Sequence, residues 1–140
     1  ALIQAAYGKE KKELIAEVLT VSEAQKQKFW NLYDEYEDKR KALGRERINI
    51  IEQYANEYAT LDDKKAAALM TKKMALVEKF TKLQQTYFTK FSAIIGGLQA
   101  SKFMQVEDYL ENQIRLSIQS QIPFIGELEK SRKETPAANQ

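Results

Sequence analysis

The densest group of chemistry-bearing residues is Asp34-Glu35-Tyr36-Glu37-Asp38, followed at once by Lys39-Arg40-Lys41. Four carboxylates this close suggest a cation site or paired acid–base groups. On a helix, however, successive side chains point about 100° apart, so the four cannot converge on one ion. The spacing favours a plainer use. Glu35 with Lys39, and Glu37 with Lys41, stand four residues apart in the favourable order, each pair worth a few tenths of a kcal/mol. The run reads as a salt-bridged, solvated helix face.

The rest of the inventory narrows the chemistry. The chain has no Cys and no His. Thiol nucleophiles, imidazole catalysis and the usual zinc sites are therefore absent, as are the Glu-x-x-His pairs of di-iron bundles. Paired carboxylates for glycoside hydrolysis could exist, but no cleft is indicated. No residue is assigned a catalytic or metal-ligating role, no cofactor is expected, and the chain is not expected to be an enzyme. With 22 basic and 20 acidic residues the net charge is +2. The two signs are interleaved, which argues against a nucleic-acid partner. No apolar run approaches the roughly 20 residues of a membrane span.

The scaffold is legible from periodicity. Five Gly and two Pro in 140 residues argue for long helices in one domain with a modest core. Seven Tyr, six Phe and one Trp supply ring area for helix–helix contacts. Four helices are expected. The first covers residues 2–19, with Leu14, Ile15, Val18 and Leu19 as its stripe and Lys9, Lys11 and Lys12 before it. The second covers about 22–58, with Phe29, Leu32, Tyr33, Tyr36, Leu43, Ile50, Ile51, Tyr54 and Tyr58 inward. Gly44 in its middle marks a bend or close approach, or is simply tolerated.

Thr60 or Asp62 can cap the third helix, which runs to about Ile94. Its stripe includes Leu69, Met70, Met74, Val77, Phe80, Leu83, Tyr87 and Phe91, with Met70 and Met74 taken as core filler ahead of a binding surface. Gly96-Gly97 ends it in a left-handed cap. The fourth covers about 98–119, with Phe103, Val106, Leu110, Ile114 and Ile118 inward, and Ile122-Pro123 stops it. Residues 120–125 are apolar enough to lie as a strap. The helical domain is 1–125, and 126–140 is a polar tail.

Two corners repeat. Ser22 and Gln25 have capping-box spacing, so each side chain should bond the other's backbone N–H, and alanine at Ser22 should cost about 1 kcal/mol. Offset by 74 residues, Val21-Ser22-Glu23-Ala24-Gln25 lies over Ile95-Gly96-Gly97-Leu98-Gln99, and Lys28/Lys102, Phe29/Phe103, Asp34/Asp108 and Glu37/Glu111 also match. An apolar–Ser/Thr–x–x–Gln motif occurring twice, each copy opening a long helix, resembles the LTxxQ-motif (Spy/CpxP-like) family of periplasmic proteins. The first copy follows Leu19-Thr20; in the second, Gly96 replaces the hydroxyl residue.

The resemblance covers residues 10–122 in pattern. It implies export after signal cleavage, consistent with the Ala start, and a periplasmic location. It also implies an all-α fold, an elongated bowed helical hairpin that pairs into a cradle-shaped homodimer. Its members are ATP-independent chaperones or accessories of envelope-stress signalling. Metal-responsive relatives use His, which this chain lacks. The expected partners are a second copy and unfolded or envelope proteins. A holding surface needs basic and apolar groups together. Its candidates are Lys39, Arg40, Arg45, Arg47, Tyr54 and Tyr58 on the second helix and Lys72, Lys73, Lys79 and Lys82 on the third. The alternative is a structural, self-associating helical module that holds no client.

Overall fold

The structure, a computed structural model, describes residues 9–127 and Lys130. Its elements among these residues are the helices α1 (Lys9–Val18), α2 (Glu23–Glu57) and α3 (Asp63–Gln121), with a 3-10 turn, Tyr58–Thr60, before the last. The all-α class agrees with the sequence, and no strand occurs among the described residues. The number of helices differs from the four expected. The expected third and fourth are one element, α3, interrupted by a single non-helical residue, Gly96. The expected start of the first helix at residue 2 lies outside the described residues, as does most of the expected tail.

Gly96 has φ 84° and ψ 160°. This is not the left-handed helical cap anticipated but an extended region essentially closed to residues with a Cβ. A Cβ placed there would meet nothing within 4 Å, so backbone conformation, not space, demands glycine. The consequence is a reversal of the chain. Phe91 and Phe103 would stand about 18 Å apart along a straight helix; their ring centroids are 4.6 Å apart. α3 therefore consists of an N-arm (63–95) and a C-arm (97–121) folded against each other.

Cross-contacts set the register. The N-arm runs antiparallel to α2: Tyr87 reaches Glu35, Lys79 reaches Glu46 and Lys72 reaches Gln53. The C-arm runs parallel to α2: Tyr36 donates to Glu107, Arg47 to Glu111 and Tyr54 to the Pro123 carbonyl. Thus α2, about 52 Å long at 1.5 Å per residue, is the central rod of an up-down-up bundle. α1 lies antiparallel on one end of it, with Lys11 against Glu37 and Lys12 against Asp34.

The core sits at that same end. Ile15 of α1 and Leu19 just after it pack with Phe29, Tyr33, Tyr36, Tyr87, Phe91, Ala100 and Phe103. The six rings meet edge-on or tilted, as quadrupole attraction favours, for example Phe29 with Phe103 at 6.1 Å and 87°. At the other end Leu43, Ile50, Ile51, Tyr54, Tyr58 and Ile114 are only half-buried. In the N-arm, Leu76 takes an inward position, while Met70 and Met74, expected as core, are exposed.

Local chemistry explains the remaining turns. Asp62 caps α3, its carboxylate accepting from the Lys65 N–H at 2.8 Å. α3 ends before Pro123, which lacks an N–H to continue the ladder. The segment after it is held by backbone: Tyr58 donates to the Phe124 carbonyl at 3.0 Å, beside Tyr54 on Pro123, while the Phe124 side chain stays exposed.

The two glycines of the long rods should respond in opposite directions. At Gly44 a Cβ would meet nothing within 4 Å in an unbroken helix, so Gly44→Ala should raise stability by about 1 kcal/mol. Gly96→Ala should lower it by about 1–3 kcal/mol through backbone strain. Urea denaturation of both variants, with unchanged m-values, checks the pair.

Candidate functional site

Asp34, Glu35 and Asp38 of the acidic run on α2 are exposed, as on the solvated face expected, and Glu37 departs from it. Glu37 is buried, and its carboxylate is held in a fork by Arg40, Nε to Oε1 and Nη2 to Oε2, both 2.8 Å. Lys11 from α1 donates to Glu37 Oε1 at 2.8 Å and lies 2.6 Å from Glu107 Oε1 of the C-arm. Glu107 also accepts from the Tyr36 hydroxyl at 2.8 Å. Two cations and two carboxylates thus balance in a network spanning α1, α2 and α3. Glu35 likewise turns to a tertiary partner, accepting from the Tyr87 hydroxyl at 2.8 Å. The anticipated pairs to Lys39 and Lys41 do not form: Lys39 instead stands over the Tyr87 ring at 5.5 Å.

The network fixes its own protonation. Burial alone would push the Glu37 carboxyl up, but the Arg40 hydrogen bonds and the Lys11 and Arg40 charges outweigh it and hold it down at about 2. Burial, then the Glu107 charge and hydrogen bond, push the Tyr36 hydroxyl far above its usual range, so it stays a donor. The Glu37 fork in turn raises Arg40. These contacts tie α1, α2 and the C-arm of α3 together.

The two motif corners abut. The Thr20 N–H, at the α1–α2 corner, donates to Gln99 Oε1, beside the Gly96 reversal, at 2.8 Å. Phe29 and Phe103, the matching aromatics of the two copies, also meet, edge to face. The capping box itself is not formed. Ser22 is the N-cap, in extended conformation, but its hydroxyl donates to the Gln25 side chain at 3.0 Å and makes no cap bond. Of the motif residues, Gln99 therefore acts across the fold, while Ser22 and Gln25 bond each other at one helix start.

The candidate holding residues separate into two groups. Arg40 is committed to Glu37, and Arg47 to Glu111 and the Phe80 ring, 4.6 Å away. Tyr54 and Tyr58 hold the chain after α3 by its carbonyls. These four are largely structural. Arg45 is exposed and has no partner among the described residues. Lys39 belongs to a basic face shared by α2 and the N-arm. It flanks Tyr87 together with Lys90, 5.5 and 4.9 Å from the ring centroid, and Lys79 and Lys72 continue the line toward Glu46 and Gln53. Lys82, one turn after Lys79, extends it. The N-arm carries seven lysines against only Asp63 and Glu78.

Lys11, Glu37, Glu107 and Gln99's partner Thr20 escaped sequence reasoning as a connected set. One signal was present: Glu107 falls between Phe103 and Leu110 at the four–three spacing of inward positions. Among the described residues no helix is long and apolar enough to cross a membrane, and no group of three or more acidic, Cys or His side chains is placed to hold a metal ion. Comparison with known proteins yields no matching family model, no matching curated protein and no matching solved structure.

Two measurements test this geometry. Because the Ser22 hydroxyl caps nothing while Gln99 satisfies a backbone N–H, Gln99→Ala should destabilise by about 1 kcal/mol and Ser22→Ala by clearly less in urea unfolding. The Glu37 carboxyl titrates near 4.5 when free and about 2 when folded. Its stabilisation is complete above about pH 4.5 and lost as the pH falls toward 2, a change of roughly 3 kcal/mol. Stability measured between those pH values should fall steeply for the native chain and more shallowly for Glu37→Gln.

Proposed function

We propose that the protein is a non-enzymatic, chaperone-like binding protein of the periplasm, holding unfolded or partner envelope proteins on a basic helical face. One observation carries this reading: the exposed lysines Lys39, Lys72, Lys79, Lys82 and Lys90 share the face of α2 and the N-arm and outnumber Glu46 and Glu35, the acids that pair there with Lys79 and Lys90. Clustered like charge attracts acidic or unfolded chains and speeds their capture, while exposed side chains hold them weakly. Motif spacing and the resemblance to the LTxxQ-motif (Spy/CpxP-like) family support the compartment, a role as chaperone or stress-signalling accessory, and a homodimeric, bowed form. The surface therefore belongs on this lysine face; Arg40, Arg47, Tyr54 and Tyr58 are occupied internally.

A holdase assay with an aggregating acidic client tests the reading. Substoichiometric to equimolar protein should suppress light scattering, and 1 M salt, where screening acts within roughly 3 Å, should abolish most of the effect. Lys39→Glu with Lys79→Glu should weaken suppression without changing helicity. No suppression at several-fold molar excess would overturn the client-holding function.

A further inference from the structure

The N-arm presents a second stripe next to its buried one. Leu69, Leu76, Phe80, Tyr87 and Phe91 face the core. Met70, Met74, Val77, Thr81, Gln84 and Phe88 follow steps of four, three, four, three and four, the heptad spacing of a coiled-coil seam. Its apolar members are uncovered: Met70 is 46%, Met74 59%, Val77 37% and Phe88 36% exposed. Surface apolar residues are ordinarily scattered; four on one seam spanning five turns form a patch of the kind that marks an interface. An open cleft of about 220 Å³ runs beside Val77, Thr81 and Gln84 toward Asp108, Asn112 and Arg115 of the C-arm, giving a neighbouring helix room for its side chains.

Charge selects the occupant. The seam is flanked by Lys73 on one side and Glu78 on the other, both exposed and without an ion-pair partner among the described residues. They stand five residues apart. In a parallel helix pair this spacing brings the residue on one flank opposite the residue five further on the partner's other flank, so Lys73 meets Glu78 of a second copy twice by symmetry. In an antiparallel pair centred on the same stripe, the two copies of Glu78 would instead face each other. The parallel register also places Thr81 against Thr81 and Gln84 against Gln84, so that polar seam residues meet their own kind.

We propose that this seam is a self-association surface taking the same seam of a second copy in parallel register. The inference deepens the homodimer expectation by naming its face and orientation. It does not rest on client holding, because the lysine line lies on the α2 side of the N-arm, away from the seam. Its test is sedimentation of the full chain across the micromolar range at low salt, with helicity monitored in parallel. The native chain should dimerise. Met74→Glu, at an exposed position, should remain folded and shift to monomer. K73E and E78K alone should each weaken the dimer by roughly tenfold, while an equimolar mixture of K73E with E78K, or the double variant in one chain, should restore it. A native chain that stays monomeric, a dimer indifferent to Met74→Glu, or single charge variants that weaken it with no rescue in combination would each overturn the proposal. A failed holdase assay would leave this result unaffected.

Discussion

The buried ionic network is the constraint on which the arrangement of the helices depends. Lys11, Glu37, Arg40 and Glu107 come from all three helices and sum to zero charge. Desolvating such groups is expensive, and the cost is recovered only where every charge finds its partner. A shift of α1 by one position would rotate Lys11 by about 100° and strand Glu107 against Tyr36 alone. The network thus specifies where α1 must dock. Once α1 is docked, Ile15 and Leu19 close the aromatic core over Phe29 and Phe103.

The rest of the molecule is organised by its distance from that core. At the α1 end, six rings and the meeting of Thr20 with Gln99 join the two corners of the duplicated pattern. At the far end the rods are joined by longer polar reaches, Lys72 to Gln53 and Tyr54 and Tyr58 to the chain after α3, over a half-buried interior. The N-arm links the two ends and carries both surfaces of interest. Its lysines lie on the side shared with α2, and its exposed methionines lie on the other. A single amphipathic rod can therefore offer a charged face and an apolar seam without either interfering with the core.

Much of this was legible in the sequence. The rods, the corner at Asp62, the reversal near Gly96 and the ring-rich stripe on α2 all follow from spacing and turn chemistry. Other features were misread for one physical reason. A helix places neighbours 100° apart, so the inward stripe is known only to within about one residue. Met70 and Met74 satisfy the same three–four rhythm as Leu69 and Leu76, and only packing against α2 and the C-arm decides which pair is buried. Glu37 fits an i,i+4 pair with Lys41 equally well on paper, yet burial beside Lys11 and Arg40 is far stronger than a solvated pair of a few tenths of a kcal/mol. The capping box failed similarly, because the Ser22 hydroxyl bonds the Gln25 side chain while the Gln25 N–H goes to the Ser22 carbonyl.

By itself the sequence determined that the chain is helical, where its rods begin and turn, and that imidazole and thiol chemistry are closed to it. These properties are local: propensity, capping residues, glycine conformation and composition act within a few residues of themselves. Tertiary structure decided how many rods there are, which face of each is inward, and which charges are spent. Those depend on pairs 26 to 79 residues apart, such as Lys11 with Glu37 and Thr20 with Gln99. A pattern read along one helix has no term for the burial and charge that a second helix brings to it.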